Sequence, residues 1–344
     1  MHLTVPLLIN PKAGSLFRSG LKSWLDEHRD DFILVPTKSA EDLTAKAREL
    51  AEAGEPVIAA AGGDGTLMNA AQVLVGTQAA LGILPCGTMN VFSRELGIGS
   101  RRFDIALDAI RNGDRQDVDI FTVNDQPFLQ MAGFGPDASI VKLITPKLKR
   151  NMGAAAHIVT GLKVAVQHHP LITITLPNGE EVSGTQLIMG NGKRYGGEAH
   201  LFANARYDDG MLDAAIIHQE SMPILFEILG CMLQRGATRS NVSQFTQLRT
   251  FESCTITAEG KVDYQLDGDY AGTLHPGEIA VIRRMPNKLK VCIPRTPIPV
   301  TPFEQIMASP WWPPGRVSSA APRTFNPPAW RIKKPAMPIL ALPA

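Results

Sequence analysis

Residues 55–71 constrain the fold more than any other stretch. Glu55-Pro56-Val57-Ile58-Ala59-Ala60-Ala61 is short and apolar, Gly62-Gly63-Asp64-Gly65-Thr66 closes it, and Leu67-Met68-Asn69-Ala70-Ala71 follows without charge. An apolar run of this length bounded by glycines reads as a buried strand, and the uncharged run behind it as a helix. The glycines then occupy a strand-to-helix turn, where unpaired N–H groups and the positive helix end favour an anion, typically phosphate. Asp64 does not suit a bare anion site. A carboxylate repels phosphates unless a divalent cation lies between them or its charge is used on another group. Three glycines around one acid therefore point to metal-assisted handling of nucleotide phosphates. The plainer reading is a tight turn with an exposed Asp.

The pattern repeats on either side. Leu3–Ile9 is a first apolar strand ending in Asn10-Pro11-Lys12-Ala13-Gly14-Ser15, and Leu16–Arg29 has helical spacing. Phe32–Pro36 is a second strand, and Ser39 with Asp42 caps a helix that runs to Gly54. Leu81–Pro85 opens into Cys86-Gly87-Thr88-Met89-Asn90, a further Gly-Thr turn before a helix, and another helix lies near Phe103–Arg111. Strand and helix alternating at this length predict a doubly wound parallel sheet in an α/β domain spanning residues 1–116. Ligands of such sheets bind beyond the carboxyl ends of the strands, where the turns at 10–15, 62–66 and 87–90 converge.

From Asp117 the pattern changes to short alternating runs: 120–123, 171–176, 186–189, 212–217, 254–257 and 279–283. Turn signals at Pro177-Asn178-Gly179 and Asp209-Gly210 separate them, so residues 117–293 read as a second, mainly antiparallel β domain. Helices are expected within it at Ala154–His168 and Pro223–Leu233. Beyond Pro294, thirteen of the 26 prolines and three of the four tryptophans crowd into the last 51 residues, the composition of an extended or disordered tail.

Bulk properties exclude several functions. A net charge of +1 argues against a broad nucleic-acid surface. Four dispersed cysteines, with no CxxC, form neither a zinc motif nor a disulfide framework, and a reducing compartment is expected. The first ten residues do not read as a signal peptide. No formal charge occurs between Asp64 and Arg94, but Gly76, Gly82, Pro85 and Gly87 punctuate that run, so a buried helix and strand explain it better than a membrane span.

The Gly62–Thr66 turn is neither a Walker A loop nor a Rossmann fingerprint. It closely resembles the GGDGT signature of the diacylglycerol kinase catalytic family of lipid kinases, which includes sphingosine kinases and bacterial lipid kinases. Other elements in the same order are similar to that family's: Asn10-Pro11-Lys12-Ala13-Gly14, Pro85-Cys86-Gly87-Thr88-Met89-Asn90-Val91-Phe92, and Gly133-Phe134-Gly135-Pro136-Asp137-Ala138. Gly190–Gly197 with Asp208-Asp209-Gly210-Met211-Leu212-Asp213, and Leu266-Asp267-Gly268-Asp269, complete the set. The likeness spans about residues 7–294.

The resemblance implies a nucleotide domain joined to a β-sandwich lipid domain, with ATP and Mg²⁺ as cofactors. It places ATP against Asn10, Pro11, Lys12, Ala13, Gly14, Thr37, Gly62, Gly63, Asp64, Gly65, Thr66, Leu67, Met68, Asn69 and Thr88. Thr37 is proposed by the resemblance alone. A structural Mg²⁺ would lie at Arg206, Asp209 and Met211, although Arg206 and Met211 offer a hard cation only backbone oxygens. Catalysis would use Asp64, with Asp269 or Asp267 as the base that accepts the hydroxyl proton. Two positions depart from the family pattern. Asp269 stands where the family has Glu, about 1.5 Å shorter in reach, and Val91 stands where the family usually has Asp. The implied function is phosphorylation of diacylglycerol or a related lipid by a cytoplasmic enzyme, transiently at a membrane surface, with no nucleic-acid partner and a homodimer plausible. The alternatives are a kinase of a soluble acceptor, as NAD kinases are, and a nucleotide-binding regulator without catalysis.

Overall fold

The computed structural model describes residues 4–144, 160, 164, 167, 169–195, 199–202, 204–218 and 246–295. The helices expected at 154–168 and 223–233 lie outside them, apart from isolated positions, as does the proline-rich tail from 296 onward.

The chain begins with β1 (Val5–Ile9), the short helices α1 (Gly14–Ser19) and α2 (Leu21–Glu27), β2 (Phe32–Pro36), α3 (Ala40–Glu52), β3 (Val57–Gly62), α4 (Asp64–Leu74) and β4 (Ala80–Pro85). Helices α5 (Val91–Glu95) and α6 (Phe103–Asn112) lead into β5 (Asp114–Val118). Every residue of β1, β3 and β4 is buried. That requires cover on both faces of the sheet and explains why these strands are continuous apolar runs. Ser39 Oγ accepts the Asp42 N–H at 3.2 Å, so α3 starts where its cap predicts, and Gly54 closes it at φ +85°. The single helix expected over 16–29 is instead divided at Gly20, whose φ of +80° is left-handed. The break lets Trp24 turn inward, where its indole N–H donates to Asp104 at 2.7 Å and its ring tilts against Phe103 on α6.

The second half starts with β6 (Phe121–Val123), β7 (Gln126–Phe128), β8 (Met131–Phe134), α7 (Pro136–Leu143), β9 (Ile172–Thr175), β10 (Glu181–Gly184) and β11 (Gln186–Gly190). Two-residue strands β12 (Arg194–Tyr195) and β13 (Ala199–His200) form a small ladder, followed by β14 (Leu212–Ile217), β15 (Thr246–Phe251), β16 (Ser253–Ala258), β17 (Val262–Leu266), β18 (Asp269–Leu274), β19 (Ala280–Arg284) and β20 (Leu289–Ile293). Two antiparallel six-stranded sheets, ordered β10-β9-β16-β19-β6-β7 and β15-β14-β11-β8-β17-β18, enclose one core. Phe121, Phe128, Ile174, Ile256 and Ile282 of the first meet Phe134, Leu187, Met189, Ile216 and Tyr264 of the second. The protein is thus an α/β domain with a parallel-rich sheet plus an antiparallel β-sandwich.

One strand crosses the expected boundary at 116/117. The parallel-rich sheet has the order β2-β1-β3-β4-β20-β5. β20 pairs parallel with β4 (Val291 beside Leu81) and antiparallel with β5, and β5 itself runs to Val118. The 289–293 segment carries the same apolar signal as a sandwich strand, so periodicity alone does not say which sheet it joins.

Candidate functional site

The turns after β1, β3 and β4 stand side by side at the carboxyl edge of the parallel strands. Cys86 and Gly87 both direct their N–H groups at the Gly62 carbonyl, 3.0 and 3.3 Å away. A Cβ on Gly87 would lie 2.4 Å from the Gly63 Cα, and one on Gly62 would lie 2.3 Å from the Thr66 Cβ. Only glycine lets these two turns touch backbone to backbone. At the β1 turn, Asn10 accepts the Lys12 N–H at 2.9 Å, while the buried Thr37 donates its N–H to Ile9 at 2.7 Å. Asn10, Thr37, the Gly62–Thr66 turn and Thr88 therefore share one rim. Leu67 does not join it: its side chain lies in the sheet's core, against which Met68 also packs.

Asp64 sits at the start of α4, and its two carboxylate oxygens accept the N–H groups of Val91 and Phe92, each at 3.1 Å. Its charge is thus spent on the first turn of α5, one of the two resolutions the sequence allows for an acid in an anion turn. Burial pushes its pKa up; the two backbone bonds and the nearby Arg94 pull it down. The Val91 side chain supplies no carboxylate, but its backbone N–H does this work.

Asp267 is also committed. Held at φ +50°, it accepts N–H groups from Leu129, Gln130 and Met131 at 2.7, 2.8 and 3.0 Å. Burial nevertheless pushes its pKa up to about 6, with the negative charge of Asp64 adding to the rise. Gly268, at φ +87°, gives its N–H to Gln265 and turns the chain so that Asp269 emerges exposed. A Cβ on Gly65 would lie 3.4 Å from Asp269 Oδ2. The acid-bearing hairpin of the sandwich therefore faces the glycine turn of the α/β domain across the cleft between them. Of the two candidate bases, Asp267 is a bolt for the 129–131 backbone, and Asp269 is the one presented to the cleft.

Several residues here are not among the expected site residues. Glu95 on α5 accepts N–H groups from Lys193 and Arg194, both at 3.1 Å, clamping one domain to the other. Buried Asn191 donates to the Asp119 and Leu129 carbonyls at 2.7 and 2.9 Å. Asp137 accepts from Tyr195 and Gln265, and burial pushes its pKa up to about 6. Gln265 thereby links Asp137 to Gly268. Arg94 lies beside Asp64 and Arg194, its pKa drawn down to about 10 by burial and then by the second guanidinium. Asp137, Asn191 and Arg194 lie inside stretches the sequence singles out, Gln265 directly precedes one, and Arg94 and Glu95 follow the Pro85–Phe92 stretch by two and three residues.

The Arg206, Asp209 and Met211 positions lie apart from the glycine rim, by Lys288, which precedes β20 at the end where β4 begins. Arg206 pairs with Asp208 at 3.0 and 3.2 Å, and Asp209 accepts the Met211 N–H at 3.0 Å. The Lys288 ammonium lies 2.8 Å from the Asp208 carbonyl. A turn that already holds a guanidinium and an ammonium, with one acid among the three expected ligands, does not fit a structural Mg²⁺. Among the described residues, no group of three His, Cys, Asp or Glu is placed to hold a metal ion.

A parallel-rich sheet with glycine turns at its carboxyl edge, closed over by a β-sandwich hairpin, is the fold of solved diacylglycerol kinases. Residues 4–123 match the family described as "Diacylglycerol kinase catalytic domain", and residues 131–293 match "YegS C-terminal NAD kinase beta sandwich-like domain". The chain belongs to the diacylglycerol kinase catalytic-domain family of lipid kinases. It is 33% identical over 225 residues, 64% of this chain and 72% of the relative, to the Pseudomonas aeruginosa protein named "Probable lipid kinase YegS-like". It is 27% identical over 286 residues, 81% of this chain and 93% of the relative, to the Bacillus subtilis diacylglycerol kinase. The crystal structure of a diacylglycerol kinase from Bacillus anthracis shares the fold, with a TM-score of 0.61 at 21% identity, covering 84% of this chain and 96% of that one.

Proposed function

We propose that the protein transfers the γ-phosphoryl group of MgATP to the free hydroxyl of diacylglycerol or a related lipid. The observation that carries this reading is the placement of Asp269 Oδ2 against Gly65. It sets a solvent-facing carboxylate beside the glycine turn on which the end of the triphosphate would rest. The triphosphate would rest on the N–H groups of the Gly62–Thr66 and Gly87–Thr88 turns, with Lys12 at its side. Arg94 from the α/β domain and Arg194 from the sandwich side would offset its charge. As the acceptor oxygen bonds to the γ-phosphorus, the bond to ADP breaks and the hydroxyl proton passes to Asp269. Magnesium belongs to the nucleotide in this scheme and enters with it.

Access from a membrane surface is consistent with the residues around the acid. Tyr270 follows Asp269 and is 42% exposed, with the Lys142 ammonium 4.8 Å over its ring and Leu143 of the same helix 40% exposed. An aromatic ring, an aliphatic side chain and a cation at one rim suit a headgroup boundary. No helix among the described residues is long and apolar enough to cross a membrane, so the contact would be peripheral.

The test is labelled ATP with Mg²⁺ and mixed micelles of diacylglycerol, monoacylglycerol, ceramide and sphingoid bases. Label in one of these lipids is expected. ATP binding without any labelled lipid overturns the proposal: label in a soluble acceptor would then indicate a soluble-substrate kinase, and no transfer at all a regulator.

A further inference from the structure

The family resemblance places a structural divalent cation at the Asp208–Gly210 turn, and the chain brings a cation of its own, Lys288, to the same turn. Asp119 is 1% exposed, and a buried carboxylate needs a counter-charge. Its oxygens receive the Gly210 N–H at 2.8 Å and the Lys288 ammonium at 3.2 and 3.3 Å, with the Arg284 guanidinium 3.6 Å away. The same ammonium donates to the Asp208 carbonyl at 2.8 Å. Arg284 reaches on to Glu252 at 3.0 Å, and Arg206 neutralises the Asp208 side chain. Four acids around the turn (Asp119, Asp208, Asp209 and Glu252) thus meet three fixed cations. A lysine ammonium has three donors, and here it donates to Asp119 Oδ2 and to the Asp208 carbonyl, while Asp119 Oδ1 accepts no hydrogen bond and is held by the charge of Lys288 and Arg284 alone.

The place of this knot in the chain is as telling as its chemistry. Asp119 follows β5 directly, and Lys288 immediately precedes β20. These are the two segments where the chain leaves the α/β sheet for the sandwich and returns to it. One buried ion pair therefore fixes both crossings and the intervening turn.

We propose that Lys288 replaces the structural divalent cation of this turn, so that the folded state needs magnesium only as part of its nucleotide. This concerns the fold of the nucleotide-free chain and stands whether or not the acceptor is a lipid. The experiment is thermal unfolding of the nucleotide-free full chain in EDTA and in Mg²⁺, with elemental analysis of the same samples. The expected result is the same Tm in both, to within about 1 °C, and less than one magnesium per chain. A Tm that falls in EDTA and returns with Mg²⁺, or one magnesium per chain retained without nucleotide, overturns it. Asp209→Asn separates the two cases further. It should behave alike in EDTA and Mg²⁺, whereas loss of a magnesium-dependent increment would show a metal ligand. Lys288→Met should lower Tm by about 6 °C or more, because Asp119 is left buried and short of charge. Asp119→Asn added to Lys288→Met should recover part of that loss, and a double variant no better than the single one counts against the pairing. If Lys288→Met does not fold, Lys288→Arg, which keeps a cation, and the wild-type metal comparison still decide the matter.

Discussion

The Gly62–Thr66 turn and the Asp267–Asp269 turn both set a carboxylate beside a glycine, and they spend that carboxylate differently. In the first, the acid follows the glycine pair and starts a helix, so Asp64 is drawn inward to hold the N-terminal turn of α5. In the second, the chain doubles back. Asp267 is drawn inward to hold three consecutive N–H groups, while Gly268 reverses direction and delivers a second acid outward. Acid-with-glycine is thus not one chemical device but two. A carboxylate saturated by backbone donors is scaffolding; an exposed one beside the glycine turn is free to take part in proton transfer. The two turns complete each other only when they meet, at Gly65 and Asp269.

The largest effect that tests this contrast is on Asp269. Asp269→Asn should lower kcat by roughly 10²- to 10⁴-fold, the usual contribution of a general base, with the Kd for ATP little changed. Turnover at the wild-type level would remove Asp269 from the chemistry. Asp269→Glu, which restores the longer acid of the family pattern, should retain more activity than the asparagine variant.

Next in size are the scaffolding acids. Asp267→Ala leaves three N–H groups without their acceptor and should cost about 2–4 kcal/mol by denaturant unfolding. Asp64→Ala, which loses two bonds at a helix start, should cost about 1–2 kcal/mol. Equal stability losses, or a loss confined to activity, would break the distinction between bolt and reactant.

The smallest effect is a pH dependence. The folded-state pKa of Asp137 is raised to about 6 by burial, so its ionised form is disfavoured in the fold and not in the unfolded chain. The sign follows from linkage: the native state binds the extra proton, so this group's contribution to stability improves as pH falls through 6 toward about 4. The stability of wild type relative to Asp137→Asn, measured by chemical denaturation across that window, should therefore rise as pH falls. A flat difference would mean that Asp137 keeps its charge inside.

Much of the fold was legible because its physics is local. Completely buried parallel strands must be apolar throughout, which Val57–Ala61 and Leu81–Pro85 are, and Ser39 must meet an N–H three residues on. The glycine contacts at 62, 63 and 87 were legible as turns, and the backbone-to-backbone approach behind them appeared only in three dimensions. What the sequence concealed is non-local. Nothing near Asp64 says that its acceptor capacity is taken by residues 91 and 92. Nothing in Glu95 announces a partner at 193–194, since one charge on a helix normally faces solvent. Strands β17 and β18 were hidden because the residues that turn the hairpin, Asp267 and Gly268, are the same ones that carry its chemistry. The surroundings of the Arg206–Met211 turn are concealed for a related reason: a motif names the loop, but the ammonium that donates to it comes from Lys288, some 80 positions away.

The return of β20 to the first sheet also bears on how the chain is made. As it leaves the ribosome, the edge of β4 that will receive Val291 has no partner until residues 289–293 emerge, after the whole sandwich has been synthesised. At ordinary elongation rates that interval is roughly ten to forty seconds. Throughout it a nascent chain presents an open strand edge of the kind that pairs with neighbouring molecules. The parallel-rich sheet is thus begun before the sandwich and finished after it, and no nascent chain can complete that sheet before its sandwich has been made.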